Sequence, residues 1–183
     1  MNSLQGHLLI ASRDLGDPNF HHAVVLIAQH SAEGALGLIL NRQSKVSIKQ
    51  VWDQISSADC DVERPLYLGG PCPGPLIAIH TKPFTGDEEI IEGVFYGADK
   101  ERLEQLVSDE TQPVKFLAGY SGWGGGQLEG ELKSGSWLTL PATSEHIFDA
   151  DEGLWERVLK EIGRTTLVTA LKLKHMPEDP SLN

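Results

Sequence analysis

The sequence predicts one compact domain that combines strands and helices, and three observations carry that expectation. The chain has 183 residues, 40 % of them hydrophobic and 22 % charged, which is ordinary globular usage for a length that buries about 70 % of its unfolded surface. Near the N-terminus, His7 to Ala11, Ala23 to Ala28 and Ala35 to Leu40 are apolar runs that do not alternate, the pattern of strands buried on both faces. After residue 47 the period changes: Ile48, Val51, Trp52 and Ile55 fall at i, i+3, i+4 and i+7, one face of a helix.

The elements follow in order. Gly16-Asp17-Pro18-Asn19 is a turn between the first two strands, because proline presets φ and the Asp and Asn side chains bond their own backbone. Ser31-Ala32-Glu33-Gly34 turns the chain into the third strand, and three strands in succession suggest hairpins. The helix from Ile48 to Ile55 opens with Ser47 and Gln50 in capping-box spacing. Gly69-Gly70-Pro71-Cys72-Pro73-Gly74-Pro75 is expected to interrupt any ladder, since its prolines lack N–H donors, with a strand resuming over Leu76 to His80. One strand is expected over Ile90 to Tyr96, a helix with Asp99 as N-cap through Leu103, Leu106 and Val107, and a strand over Val114 to Leu117. The glycine cluster Gly119 to Gly126 reads as a loop leading into a short helix marked by Leu128 and Leu132. Trp137 to Leu140 is a strand, and Asp151 to Ile162 a helix with Gly163 as C-cap. Thr166 to Leu173 fits either a helix or an edge strand, and the tail from about residue 176 should fray.

Charge narrows the function. With 15 Lys+Arg against 26 Asp+Glu the net charge is −11, and neither half of the chain is basic, which argues against direct nucleic-acid binding. Between Asp87 and Glu110 nine acids face only Lys100 and Arg102, a run read as solvated helix surface and dipole capping. The longest apolar stretches fall far short of the ~20 residues of a spanning helix, so no membrane contact is expected. The N-terminus lacks the features of a secretory signal, and only Cys60 and Cys72 could pair. A cytoplasmic location is the expectation.

Candidate chemistry is sparse. Gly119-Tyr120-Ser121-Gly122-Trp123 approaches the nucleophile elbow, but that motif needs glycine where Trp123 stands, and a tight backbone crossing beside a large indole is favoured. Neither phosphate-binding glycine motif fits residues 119–130, where Gln127 and Glu129 occupy the helix start. A neutral ligand pocket walled by Tyr120, Trp123 and Trp137 stays open. Cys72, with His30 or His80 as partner, is a weaker thiol candidate. The seven histidines show no H-x-x-x-H or C-x-x-C spacing, so no metal is expected.

Taken together, Gly6-His7-Leu8-Leu9-Ile10-Ala11, Asp17-Pro18-Asn19-Phe20, Gly34-Ala35-Leu36-Gly37-Leu38-Ile39-Leu40-Asn41-Arg42, Gly69-Gly70-Pro71 and Gly119-Tyr120-Ser121-Gly122-Trp123 through Gly126-Gln127-Leu128-Glu129 resemble the AlgH/YqgE family of bacterial proteins. Arg13 and Gln43 stand where that family usually has Pro, and Cys72 where it usually has Val, which weakens the thiol reading. The resemblance implies a single α+β domain over residues 1–183 with a mixed, partly barrel-like sheet flanked by helices. It implies no reaction, and the family's transcriptional-regulator label rests on no recognised DNA-binding module. The favoured function is therefore non-enzymatic: binding of a small molecule or a protein partner, or indirect regulation, with no cofactor. The candidate site is the surface where the two glycine-rich loops meet, comprising Asn41, Arg42, Gly69, Gly70, Tyr120, Ser121, Trp123, Gln127 and Glu129. Arg42 is expected to pair internally with a carboxylate such as Glu129. The alternatives are an enzyme acting on a small molecule or acyl group through Ser121 or a water activated by Glu129, and direct DNA regulation through the basic stretch from Arg164 to His175.

Overall fold

Strand β9 organises the molecule. The computed structural model describes residues 3–57, 60 and 62–174, with side chains through residue 166. Ten strands and five helices are seen among them: β1 (His7–Ala11), β2 (Val24–Ser31), β3 (Gly34–Ile39), β4 (Gln43–Ser47), α1 (Ile48–Val51), β5 (Pro65–Leu68), β6 (Cys72–His80), β7 (Glu88–Ile91), β8 (Val94–Gly97), α2 (Lys100–Ser108), β9 (Val114–Gly124), α3 (Gln127–Lys133), β10 (Trp137–Pro141), α4 (Ser144–Phe148) and α5 (Leu154–Lys174). The main sheet path runs β10-β1-β2-β3-β9-β6-β8-β7, and β4 and β5 branch from it onto β9. The first half of β9 lies between β6 and β5, with Leu117 opposite Ile77 and Tyr67. Its second half pairs with β3, Ser121 to Gly124 facing Gly37 to Gly34.

The β5–β9 pair is parallel and the other pairs are antiparallel, so the sheet is mixed and the α+β expectation holds. At its far end β7 curls back towards β2. Side chains bridge the two there, Gln29 Nε2 donating to both oxygens of Glu88 at 2.8 Å and Gln5 Nε2 to the Glu89 carbonyl at 3.0 Å. The sheet is barrel-like in curvature but open at this seam.

Burial on both faces explains the apolar runs. Leu8 and Ile10 of β1, with Val24, Leu26 and Ala28 of β2, join a central cluster closed by Leu154, Trp155 and Val158 of α5. The alternate residues Leu9, Ala11, Val25 and Ile27 enter a second cluster with Trp123, Trp137 and Leu128 of α3. A third cluster packs Ile48, Trp52, Leu103 and Leu106 against Phe116. Alternation disappears from the sequence because neither face meets water.

Several elements differ from the sequence reading. The Ser47/Gln50 capping box forms, but α1 lasts one turn before tightening into a 3₁₀ turn over Trp52–Gln54. The expected strand from Ile90 to Tyr96 is a hairpin, β7 and β8, turned at Gly93 with φ of 72°. β6 begins at Cys72, and its ladder slips between Cys72 and Leu76, so Pro73 and Pro75 sit where no ladder N–H is required. The glycine cluster at 119–124 is strand, not loop. Gly163 does not end α5, which continues to Lys174; an interior glycine costs a helix only about 1 kcal/mol. α4 and β4 carried no signal that was recognised, and the expected frayed tail lies outside the described residues.

Lys115, read only as part of a strand, is 3 % exposed. Its ammonium lies 3.6 Å from the Tyr67 ring centroid and donates to the carbonyls of Leu40 at 3.1 Å and Ala150 at 3.3 Å. Desolvation lowers its pKa to about 8, against the weaker pull of Asp151 and Asp149. The unfolded chain holds that proton up to an ordinary lysine pKa, so between these values it binds more protons than the folded one and stability rises with pH. Relative to Lys115→Met, the wild type should gain about 2 kcal/mol between roughly pH 7.5 and pH 9.5; parallel urea-unfolding profiles of the two proteins would refute this.

The glycines give a second test. A Cβ at Gly70 would overlap the Tyr120 backbone, whereas one at Gly130, inside α3, meets nothing within 4 Å. Gly70→Ala should lose at least about 2 kcal/mol in urea unfolding, and Gly130→Ala should gain about 0.5–1 kcal/mol.

Candidate functional site

The two glycine-rich segments do meet. Cys72 pairs with Tyr120 across the β6–β9 ladder, Gly69 N–H donates to the Ala118 carbonyl at 2.8 Å, and the Gly69 carbonyl accepts from Ile39 N–H at 2.8 Å. At Gly119, φ is 72° and an added Cβ would lie 2.6 Å from the Cys72 carbonyl oxygen, so both backbone conformation and space exclude a side chain. Ser121 is fully buried and its Oγ donates to the Gly69 carbonyl at 3.3 Å. It lies inside a strand, not on a strand-to-helix elbow, and its hydroxyl points into the crossing. Gly69, Gly70 and Ser121 build this crossing rather than a surface.

Asn41 and Arg42 serve another loop. Asn41 Oδ1 accepts from Val24 N–H at 2.9 Å, and its Nδ2 donates to the His22 carbonyl at 2.9 Å. The Arg42 guanidinium donates to the carbonyls of Asn19 at 2.6 Å and His21 at 3.4 Å. The expected internal role is present, but the partners are backbone carbonyls and not Glu129. Together these side chains clamp residues 19–22, where His22 holds a φ of 53° and its ring stacks on Trp155 at 3.9 Å. Asp17 makes the expected turn, accepting from Asn19 N–H at 2.8 Å.

Trp123 and Trp137 are core residues, 5 % and 3 % exposed, packed edge to face with Phe20 against Trp137 at 5.3 Å. Both indole N–H groups donate to one oxygen of Glu131, at 3.0 and 2.7 Å. Gln127 completes the arrangement: its Oε1 accepts from Gly124 N–H at 3.1 Å and its Nε2 donates to the other Glu131 oxygen at 3.0 Å. Glu131 went unrecognised in the sequence, although it stands four residues after Gln127 on one helix face. The gap at Gly37 admits the indole, since a Cβ there would sit 2.9 Å from Trp123 Cζ3.

Glu129 binds His30. Leu4 N–H donates to His30 Nδ1 at 2.9 Å, which places the ring proton on Nε2, and Nε2 lies 3.1 Å from Glu129 Oε1. The backbone N–H of Glu129 itself holds its carboxyl below the usual range, reinforced by His30. A carboxylate–imidazole pair resembles a catalytic dyad, but both ring nitrogens are occupied, leaving none to take a proton from a substrate.

A cleft of about 510 Å³ opens beside this pair, lined by Gln5, Gln29, His30, Glu88, Tyr120, Trp123 and the turn at residues 31–36. It lies at the seam where the sheet fails to close. Tyr120 and Trp123 are the expected walls; Trp137 is on the far side of Trp123 in the second core cluster, so the three-aromatic pocket does not form. Gln5, Gln29 and Glu88 carry no sequence pattern, because only the curl of β7 brings them together.

The thiol partners also separate. Cys72 and His80 stand at opposite ends of β6, roughly 25 Å apart at strand rise. His80 is buried against Phe84 and Phe95, with Nε2 3.1 Å from Asp87 Oδ2. Burial lowers the imidazole pKa, partly offset by Asp87. Asp87 also pairs with Arg102, so one member of the acidic run is an internal ion-pair residue and not solvated surface. Among the described residues, no group of three His, Cys, Asp or Glu side chains is placed to hold a metal ion.

The shared carboxylate yields a test. Glu131→Ala strands two buried indole N–H groups, and urea unfolding followed by tryptophan fluorescence should show a loss of about 2–4 kcal/mol, with Glu131→Gln intermediate. A loss below about 0.5 kcal/mol would mean the indoles find other acceptors.

Comparison with known proteins agrees with this architecture. A family model described as AlgH-like matches residues 8–166. A UPF0301 protein of Chlorobium limicola is 39 % identical over 185 residues, covering 97 % of this chain and 95 % of the relative, and one of Chlorobaculum tepidum is 38 % identical over the same shares. The solution structure of the AlgH protein from Pseudomonas aeruginosa superposes with a TM-score of 0.73 at 27 % identity, covering 97 % of this chain and 96 % of that one. A Corynebacterium diphtheriae crystal structure, at 23 % identity and a TM-score of 0.68 over 88 % of this chain and 87 % of that one, shares the fold. With its glycine crossing, its clamped 19–22 loop and this match along most of its length, the chain belongs to the AlgH-like, UPF0301 family.

Proposed function

We propose that the protein is a non-enzymatic binding protein whose ligand occupies the seam cleft between the β2–β3 hairpin, β7 and β9. One observation carries this reading. The groups facing the cleft are the amides of Gln5 and Gln29, the carboxylates of Glu88 and Glu33 and a phenol, while Ser121 and His30 are engaged in holding the fold: Ser121 in the crossing, and His30 between Leu4 N–H and Glu129. A pocket of this size with a few convergent polar groups is the ordinary form of a small-ligand site.

Regulation, on this reading, is indirect. The charge of −11 supports action through a ligand or protein partner over contact with phosphates. The basic stretch from Arg164 to His175 would be the start of any DNA-binding face, and its side chains beyond residue 166 lie outside the described set. Among the described residues no helix is long and apolar enough to cross a membrane.

Trp123→Ala is unsuitable as a probe, because removing a core indole costs about 3–5 kcal/mol. Gln29→Ala and Tyr120→Phe leave the core in place. A fragment screen on the ¹⁵N-labelled full chain, with a DNA duplex among the probes, should give hits whose shifts cluster at Gln29, Ser31, Ala35 and Tyr120, weakened about tenfold by Gln29→Ala. Shifts confined to the groove around His146 and Arg157, or salt-dependent DNA binding, would overturn the assignment.

A further inference from the structure

The chemistry of the seam cleft points to its ligand. None of its lining residues is Lys or Arg, whereas Glu88 and Glu33 both reach it. Glu88 is held in place by an amide: the Gln29 Nε2 lies 2.8 Å from each of its oxygens, and Tyr96 stands opposite it in the β7–β8 ladder. The Gln29 donor is neutral, so the position of the carboxylate is set without a cation. Its closeness raises the Tyr96 pKa, together with burial.

Two further features of the cleft are independent of the acids. Tyr120 is half-buried, its ring fitted between Gly74 and Gly122, and its hydroxyl has no partner among the described residues. A part-buried phenol ordinarily finds one, and Tyr120 lines the cleft. Trp123 borders the cleft from β9, with its indole turned to the opposite face against Trp137 and Glu131. Aromatic surface beside a positioned, uncompensated carboxylate attracts an ammonium or guanidinium group through both ion pairing and cation–π contact. The same wall repels phosphates and carboxylates.

Resting on the binding reading above, we infer that the cleft takes an organic cation: a primary amine or guanidinium on an aromatic or aliphatic body. The cationic head lies against Glu88, the body lies on Tyr120, and the Tyr120 hydroxyl and the Gln5 and Gln29 amides bond its polar edges. Glu33, on the rim, adds attraction without a fixed contact.

The test uses the full chain, benzylamine as probe, and benzyl alcohol as its neutral match in size and shape, followed by calorimetry and amide shifts. Benzylamine should bind at least about tenfold more tightly than the alcohol, with shifts at Gln29, Ala35, Glu88 and Tyr120. Glu88→Gln should bring the two affinities together, and Tyr120→Phe, which keeps the ring, should weaken benzylamine about threefold. Thermal midpoints of both variants establish that they remain folded. If the alcohol binds as well as the amine, or if Glu88→Gln leaves their ratio unchanged, the cation assignment fails while the cleft stands as a ligand site. If neither probe shifts the cleft at about 10 mM, or if amine shifts scatter over surface acids and vanish with added salt, the inference is overturned and the attraction is that of net charge alone.

Discussion

The close passage of Gly69 and Gly70 against Gly119 and Tyr120 is the constraint on which the rest of the structure depends. It leaves room for no side chain at these glycines. Because it does, β9 can reach three different neighbours along its length, β5 and β6 with its first half and β3 with its second. One strand thus belongs to both halves of the sheet. The crossing also distributes the aromatics: Tyr120 packs on the central cluster and Trp123 on the one covered by α3. Had the backbones been separated by even one Cβ, β3 would lose its partner and the indole its slot at Gly37.

Much of this was legible in the sequence, and the failures share a cause. Runs buried on both faces, the Ser47/Gln50 capping box and the Asp99 N-cap were readable because each is a local pattern with a local physical reason. The glycine cluster at 119–124 was misread as loop because glycine signals conformational freedom, whereas here it signals the absence of a side chain, and what would be struck lies on β6, some fifty residues earlier. Arg42 shows the same limit. Its charge suggested a carboxylate partner, but the structure offers two backbone carbonyls, of Asn19 and His21, acceptors that no composition argument counts. Of the nine candidate residues only Tyr120 and Trp123 line the cleft; Glu129 and Gln127 support its neighbours, and the remaining five hold the fold.

The acids divide in a way that net charge conceals. Glu131 receives two indoles, Glu129 an imidazole, and Asp87 an arginine and a histidine. Glu131 and Glu129 work inside the structure through indole and imidazole partners that charge counting does not reveal, and Asp87 sits between an arginine and a buried histidine. Lys115 is their opposite: a cation whose nearest oxygens are carbonyls and whose charge is stabilised by a tyrosine face.

That the cleft sits at the seam follows from how the sheet ends. A closed barrel would seal β7 to β2 with backbone hydrogen bonds, and its geometry would be dictated by the ladder whatever side chains were present. Here the closure is made by Gln5, Gln29 and Glu88, so the shape and polarity of the gap are set by side chains alone. A change at the crossing must move backbone, whereas a change at the seam alters only which groups line an opening that already exists. The residues that carry the family resemblance are for this reason the ones that define the fold, and Gly34, Ala35, Leu36 and Tyr120 among them also line the gap, whereas Gln5, Gln29 and Glu88, which close it, belong to no motif. A glycine signature in such a protein reports where two backbones touch, and the polar side chains that shape the opening stand outside it.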